Sequence, residues 1–590
     1  VSLGFNVGDT LSGSAGRFGY LVTLGYRHRF DHYSESMTRL ALGGADSGQT
    51  VVPVETLQRE VGSREAQIGA LATASYEPVP NHRISGVTMV TQTGEDRTNV
   101  VTGFSEAEGT EIINTQFRFI ERQLIFNQLT GEHADIGDFL TVTWQLNASR
   151  TLRDQPGTSD LLYALGATGA YEFRPVSGSA ERLYTDLEQA DFGGGVDFGF
   201  RIWPEGNIKV GYLGRHGTRD FVARRFGVRY MGSAAERALP PEELFAPERS
   251  GTTWLINELT LPEDGYVADE DLHAGYAMLD GRIASSLKLM GGARVESFHQ
   301  QIEVSSPFAQ PGAVPREGSD RTNVDVLPAA AVIVAPRDDM NLRAGYGKTV
   351  ARPLTRELSP FLNQDFVRRR YAQGNPELQR TIIHNFDLRW ELFPTPTEVF
   401  AISGFYKIFE DPIETVVLDQ NGNLSYENIQ RAQNYGAELE ARVSLGTLSP
   451  ALSSFNALAN LALIRSTVTL SDEQRRLATE SERPLAGQSP YVANLALGYD
   501  SEGGLSAYVY YNVFGRRIQD VGRLGLPDVY EEPFHALDAT VFYKMDNGLT
   551  LGASASNLLF QPVLVTQGGS DFSRAERGAN FGLSVSWSPP

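Results

Sequence analysis

The 590-residue sequence contains no cysteine, so neither disulfides nor thiolate metal ligands contribute to its fold. No apolar run approaches the roughly eighteen residues that a membrane-spanning helix needs. The formal net charge is −21 at pH 7, which argues against binding to nucleic acid through its phosphates. These absences disfavour disulfide-stapled folds, helical membrane proteins and nucleic-acid-binding proteins.

The sequence also lacks any sign of a domain boundary. No Pro/Ser-rich tract, charge block or change in amino-acid composition divides residues 1–590. A chain of this length usually splits into several domains, whereas one large closed sheet would look uniform throughout. A soluble β-propeller is the alternative fold, but the blade-length internal repeat that it requires is missing. We therefore expect residues 1–590 to form one all-β domain.

Where a pattern exists, it has a period of two and apolar stripes that end in aromatic residues. The clearest stripes are Tyr20, Val22, Leu24 and Tyr26; Tyr491, Ala493, Leu495, Leu497 and Tyr499; and Leu537, Ala539, Val541 and Tyr543. The mean hydropathy of −0.25 suits a soluble protein, but half of each strand of a transmembrane barrel is polar. A soluble sandwich strand would give the same single stripe. Repetition along the chain favours a large antiparallel transmembrane β-barrel.

Short and long connections alternate along the chain. Short polar turns are predicted at 78–82, 336–339, 393–396, 501–504 and 545–548. Long segments, which we interpret as structureless outer loops, occupy 352–377, 411–429, 471–488, 516–533 and 561–576. Outer-membrane barrels have short turns at one end and long loops at the other, so this alternation supports the barrel.

Counting strands backward from Trp587 gives about 21, one fewer than the even number expected of such barrels. In this scheme residues 3–7 form a descending strand, 8–16 a turn and 19–30 the next ascending strand. We expect the missing first strand to precede Val1.

A series of short phrases resembles the barrel of TonB-dependent receptors in both order and spacing. They are ERQL at 121–124, GEH at 131–133, TWQL at 143–146, RDQP at 153–156, VLP at 326–328, MNLR at 340–343, TVARP at 349–353, REL at 356–358, GNPEL at 374–378, NFDLRWE at 385–391, NYGAELE at 434–440, RPLAGQSP at 483–490 and SNLL at 556–559. The resemblance covers essentially the whole chain.

This resemblance implies energised uptake across the outer membrane of a Gram-negative cell. A scarce ligand, such as a ferric chelate or a carbohydrate, is caught on outer loops. A plug inside the barrel then rearranges when a TonB-type complex pulls on an N-terminal motif. Implied partners are the chain's own upstream plug, that energising complex, outer-membrane lipid and lipopolysaccharide. A passive porin-like or plugless channel remains the alternative.

Motifs of enzymes and cofactors are represented only by look-alikes. The segment Gly347-Lys348-Thr349 lacks the upstream glycine of a phosphate-binding loop and reads as strand. No HExxH or GxSxG occurs, and His28 and His32 are placed at a strand end and in the following loop. We expect no catalytic site, no metal site and no cofactor.

Arginine-rich positions in the predicted loops are the candidates for ligand contact. Guanidinium groups could hold an anionic ligand through paired hydrogen bonds. The alternative is that these arginines pair with acidic neighbours or with lipopolysaccharide. The candidate residues are Arg368, Arg369, Arg370, Tyr371, Arg516 and Arg517.

Overall fold

The computed structural model describes residues 1–589 except for 44–50, 310, 315, 366–369 and 420–421. Strands dominate these residues, and the helices are only one or two turns long. None of the described helices has the length and apolar character needed to cross a membrane.

The strands are numbered in chain order. They are β1 (Ser2–Gly13), β2 (Gly16–Leu42), β3 (Val51–Val79), β4 (His82–Ser105), β5 (Thr110–Ile136), β6 (Leu140–Leu165), β7 (Tyr171–Phe173), β8 (Glu181–Trp203), β9 (Gly206–Tyr230), β10 (Trp254–Glu258), β11 (Gly265–Ala284), β12 (Leu287–Val304), β13 (Ser319–Arg337), β14 (Met340–Ala351), β15 (Leu362–Asp365), β16 (Arg370–Gln373), β17 (Thr381–Leu392), β18 (Val399–Glu410), β19 (Ile413–Val417), β20 (Leu424–Asn428), β21 (Arg431–Ser444), β22 (Phe455–Thr469), β23 (Tyr491–Asp500), β24 (Leu505–Phe514), β25 (Arg517–Asp520), β26 (Val529–Glu531), β27 (Phe534–Lys544), β28 (Leu549–Ser556), β29 (Val563–Gln567), β30 (Ser570–Glu576) and β31 (Asn580–Trp587).

The helices lie in the connections. They are α1 (Pro241–Leu244), α2 (Thr355–Leu358) and α3 (Asp472–Leu477), with 3-10 turns at Ala235–Ala238, Pro247–Arg249, Pro262–Asp264, Leu445–Thr447 and Pro450–Leu452.

Most of the strands form one antiparallel barrel wall. Ten of the 31 strands (β7, β10, β15, β16, β19, β20, β25, β26, β29 and β30) belong to connections. The other 21 pair successively from β1 with β2 to β28 with β31. The predicted fold class and strand number are therefore confirmed.

The wall has a seam between its first and last strands. Within the described residues, β1 pairs only with β2 and β31 pairs only with β28. Because successive strands alternate in direction, the first and the last of 21 run the same way. One further strand, antiparallel to both, would complete the ladder.

The strand registers place all three predicted stripes on the same face of the sheet. Leu24 lies opposite Phe5 and Ala70, and the chain of pairings continues around the wall to Leu583. The other face carries buried polar groups such as Glu35 and Asn99, so it is the inside. An outward apolar band of this kind is what acyl chains require.

The predicted short turns all occur at one end of the barrel, here called the turn end. One prediction there was wrong: β1 extends to Gly13, and Ser14-Ala15 alone forms the turn assigned to 8–16. Pairing with β2 from Ser2 to Gly13 holds these residues in the strand, because cross-strand contacts override local preference. For the same reason, His28 and His32 both lie within β2.

The two halves of the wall differ in height. Strands β2 to β6, β8 and β9 contain between 23 and 29 residues, whereas β14 and the later barrel strands contain 8 to 15. About ten residues suffice to cross the hydrocarbon, so the tall strands project tens of ångströms beyond it. Above the apolar band their outer face carries exposed ion pairs such as Arg64–Asp96 and Arg150–Glu188.

The long segments of the low half are not structureless, which corrects the sequence interpretation. Strands β15 and β16 pair with each other, as do β19 with β20, β25 with β26, and β29 with β30. These hairpins were missed because they are only three to seven residues long and lie among turn residues. The end of the barrel that carries them is called the loop end.

Above the short barrel strands, from β14 onward, the loop hairpins continue the wall toward the loop end. Strand β30 pairs with β2 from Ser34 to Met37, and β29 continues to β26. The bridge between Val416 and Val521 joins β19 to the segment after β25. The pairing of Ala372 with Leu424 then joins β20 to β16. Four loops thereby form a hydrogen-bonded partition.

One buried ion pair fastens one of these loops, at Glu414, to the loop between β22 and β23. Both Nη atoms of Arg483 donate to Glu414, at 2.9 and 2.6 Å, and the two side chains are only 2% and 1% exposed. The Ala486 amide also donates to Glu414 at 2.8 Å. Two opposite charges that are paired and joined by hydrogen bonds can be accommodated at this depth, whereas a single remaining charge is strongly destabilising.

Asp528, in a third loop, lies close enough to interact with Arg483. Its Oδ1 accepts the Gly522 amide at 2.7 Å, while Oδ2 has no hydrogen-bond partner among the described residues. Burial raises the pKa of Asp528 to about 6, although the Gly522 amide and Arg483 act in the opposite direction. The folded loop therefore favours the protonated carboxyl.

We predict that Glu414→Gln loosens two loops together, at a cost of about 3 to 5 kcal/mol, because Arg483 is left buried without its counter-charge. Hydrogen exchange should accelerate in both 411–430 and 483–490. The matched control is Glu502→Gln, at an exposed position in a turn. Unchanged exchange in Glu414→Gln would show that the pair does not hold these loops.

We also predict a pH-dependent loop around Asp528. Because the folded pKa lies above the ordinary value of 3.8, loop stability is greatest below about pH 4 and is lost as the pH rises through about 6. Asp528→Asn should remove this dependence and slow exchange of the Gly522 amide at pH 7.5 about ten-fold. Faster exchange in the variant would mean that the ionised carboxylate stabilises the loop.

Candidate functional site

A cavity of about 800 Å³ lies at the loop end, between the tall wall and the partition of loops. The wall contributes inward side chains of β2 to β5, among them Met37, Arg39 and Asn114. The loops contribute Leu526 and Phe572, together with the groups described below. Its volume lies within the range typical of small-molecule sites.

Opposite charges face each other within this cavity. On the wall, Arg39 Nε donates to Glu55 at 3.1 Å, and its Nη2 donates to Glu106. On the loop side, Arg370 Nη1 donates to Asp520 Oδ2 at 3.4 Å. The Arg370 side chain is 15% exposed, so it faces a largely desolvated space in which charge interactions are strong.

Tyr371 is positioned by a hydrogen-bonded loop rather than by the wall. Its backbone amide donates to Asn423 Oδ1 at 3.0 Å, and Asn423 in turn donates to Asp419 at 2.7 Å. These contacts join the loop that follows β14 to the loop that follows β18. The cavity therefore depends on at least two loops remaining in contact.

Arg516 and Arg517 lie at the base of β25 and do not line the cavity. Arg516 pairs with Glu532 at 2.9 Å and lies 3.8 Å from the ring centre of Tyr530. Arg517 pairs with Glu531 at 2.6 Å. Arg516 therefore has an acidic and an aromatic partner from its own loop, and Arg517 has an acidic partner there.

The structure brings together two of the six candidate residues, Arg370 and Tyr371. Arg368 and Arg369 lie outside the described residues. Sequence analysis missed Arg39, Asp520 and Asn423, which face the same cavity. Arg39 could have been found by extending the inward alternation of β2 beyond the apolar band, but the hairpin contacts carry no comparable sequence signal.

Among the described residues, no three His, Asp or Glu side chains come together as metal ligands. The closest histidines, His82 and His133, approach at 3.3 Å between their Nδ1 atoms near the turn end. The cavity instead combines apolar surface with charged and amide groups. Such a lining can hold a small molecule that carries both apolar parts and polar or charged groups.

The fold resembles several solved structures, each matching 99% of this chain. The ferric yersiniabactin uptake receptor FyuA from Yersinia pestis has a TM-score of 0.59 and 12% identity, with 77% of its own chain matched. The ferric-catecholate import receptor Fiu from E. coli K12 has a TM-score of 0.59 and 12% identity, with 81% of its own chain matched. The ferric enterobactin receptor PfeA from Pseudomonas aeruginosa has a TM-score of 0.54 and 14% identity, with 80% of its own chain matched. At these identities the likeness establishes the fold alone.

No curated protein matches the sequence closely. The family model described as TonB-dependent receptor-like, beta-barrel, matches residues 71–558. That range includes most of the wall and three of the four loops of the partition. The chain therefore belongs to the family of TonB-dependent receptor β-barrels.

Proposed function

We propose that this chain is the barrel of an outer-membrane receptor that takes up a scarce small molecule with energy from a TonB-type complex. The observation that carries this proposal is the cavity at the loop end. It is enclosed by four interlocked loops above a continuous apolar band. A receptor that concentrates a dilute ligand needs such a built site, which a simple diffusion pore does not.

In this proposal the seam is filled by one strand of the same chain from upstream of Val1, and the plug precedes that strand. Support comes from the direction of the edges, because a single strand can be antiparallel to both β1 and β31. Both edges also expose apolar side chains, including Phe5 at 59% and Leu583 at 91%. Lipopolysaccharide and lipid would surround the apolar band.

Arg370 and Tyr371 are the proposed ligand contacts, with Asp520 as the group that orients Arg370 in the empty site. Arg516 and Arg517 serve a supporting part, because their ion pairs hold β25 and β26 together. Arg368 and Arg369 come directly before Arg370 in the sequence and belong to the same arginine-rich segment. The ligand class suggested by these residues is a small molecule with at least one anionic group.

A passive channel is the second candidate, and the width of a 21-strand wall favours it if no plug occupies the lumen. The known relatives in this family are transporters and receptors rather than enzymes. An enzymatic role has no supporting constellation of nucleophile and base among the described side chains.

We predict that uptake of a radioactive ferric chelate by cells that express the full-length protein stops when the proton gradient is collapsed. It should also stop in a host that lacks the TonB-type complex. Cells without the protein supply the background. Uptake that continues at the same rate in both de-energised conditions would identify a passive channel and end the proposal.

We predict that Arg370→Ala weakens ligand binding about ten-fold, since one charge-assisted hydrogen bond is lost from a desolvated site. Tyr371→Ala should act in the same direction. Arg337→Ala, in an exposed turn at the opposite end, is the control. Binding curves from purified receptor check the result. Equal affinities for all three variants would remove the cavity from the ligand pathway.

A further inference from the structure

Below the cavity, the inner wall carries a group of arginines that its neighbours do not neutralise. Three guanidinium groups surround a single carboxylate. Glu95 forms an ion pair with Arg97 at 2.9 Å, and it accepts hydrogen bonds from Arg118 at 3.3 Å and from Arg122 at 3.4 Å. Arg153 and Arg356 lie close enough to add to the field. These five arginines and Glu95 are called the arginine cluster.

Two members of the cluster have no acidic partner within the described part of the chain. Arg153 donates only to uncharged oxygens, those of Thr185 at 2.9 Å and Gln155 at 2.7 Å. Arg356, on α2, is exposed and forms no ion pair there. The cluster thus contains five arginines and one carboxylate, in a protein whose overall charge is strongly negative.

The electrostatic cost of this arrangement is seen in the lowered pKa values of two of the arginines. Burial lowers the pKa of Arg118, and the nearby Arg97 and Arg122 lower it further. The same is true of Arg153, for which Arg122, Arg118 and Arg356 follow burial as causes. In addition, the Nε atoms of Arg97 and Arg118 are buried with no acceptor among the residues that the structure describes. An anion in this place would relieve both the repulsion and the lost hydrogen bonding.

The cluster faces the lumen rather than the surrounding lipopolysaccharide. Register pairs place Arg97 opposite Arg118, and Arg122 opposite Arg153, on the same inner face as the buried Asn99. The outer face at this level is acidic, with Asp154 and Asp186 directly opposite each other. At this level the arginines lie on the inner face and the aspartates on the outer face. The anionic headgroups of lipopolysaccharide would therefore contact the acidic face and not the arginine cluster.

The cluster is continuous with the cavity above it. Asn114 lines the cavity, and Gln116 and then Arg118 follow at every second position on the inner face of β5. Four residues of strand span about 13 Å. Asn99 Nδ2 donates to Gln116 Oε1 at 2.8 Å between the two levels. A ligand leaving the cavity inward along this wall meets amides first and guanidinium groups next.

The guanidinium groups remain within reach of a ligand. The Arg97, Arg118 and Arg122 side chains are 32%, 30% and 46% exposed, so their heads contact the lumen while their stems are packed. Planar guanidinium groups match the paired oxygens of carboxylate and phosphate. We propose that the arginine cluster is an inner binding station for a small polyanion, of the polycarboxylate or phosphate class. This proposal rests on the proposed uptake function and names the chemistry of its ligand.

The test titrates the purified full-length protein in detergent with citrate, a polycarboxylate, and with an uncharged trisaccharide, using calorimetry. We expect citrate to bind and the trisaccharide not to bind. Arg122→Gln and Arg153→Gln should each weaken citrate binding about ten-fold, and the lysine substitutions at the same positions should restore part of the loss. Arg150→Gln is the matched control, because this side chain lies on the outer face of the same strand and pairs with Glu188.

Folding of each variant is checked by the shift in electrophoretic mobility between unheated and heated samples. The inference is overturned if wild-type protein does not bind citrate, or if the cluster variants bind it as wild-type does. It is also overturned if the variants release the upstream part of the chain to protease, because the cluster would then hold that segment. Energised uptake with no citrate binding defeats only this inference, whereas citrate binding with passive uptake defeats only the proposed function.

Discussion

The hydrogen-bonding needs of the backbone inside a membrane determine this structure. A peptide group in hydrocarbon has no water to bond with, so each strand must be paired along both edges. Twenty-one strands satisfy this rule except where β1 and β31 face each other. The period of two follows from the same rule, because a paired strand presents one side chain outward and the next inward. The apolar band, the polar interior and the seam are therefore consequences of one constraint.

Much of the fold could be predicted from sequence because that constraint is local. Tyr491 to Tyr499 alternate along one strand, and the register puts that stripe beside those of the neighbouring strands. The turn after β1 could not be placed from the sequence, because the extension of β1 to Gly13 depends on its pairing with β2. Local signals specify faces and most turns, whereas strand ends depend on partners distant in sequence.

The candidate site was only partly predictable, and the reason is again the distance between partners. Arg370 and Tyr371 stood out as members of a basic run, but their contacts come from Asp520 and Asn423 in other loops. Glu414 and Arg483 are separated by 69 residues and looked like ordinary loop charges. The arginine cluster was hidden for a different reason. Apart from Arg356 on α2, its members lie at inward positions of β4, β5 and β6, where each looks like a normal inward polar residue.

The partition of loops is much weaker at some joints than at others. Strand β30 meets β2 through four residue pairs and β29 meets β26 through three, but β16 meets β20 through the single pair of Ala372 and Leu424, and β19 meets the segment after β25 through one isolated bridge. A thermal fluctuation that separates β16 from β20 breaks this pair and a few side-chain hydrogen bonds, such as those of Tyr371 with Asn423 and of Asn375 with Tyr426, while the membrane-level wall would have to break a whole row. The loops at the entrance can therefore separate at these weak joints and pair again, while the strands that span the lipid remain paired.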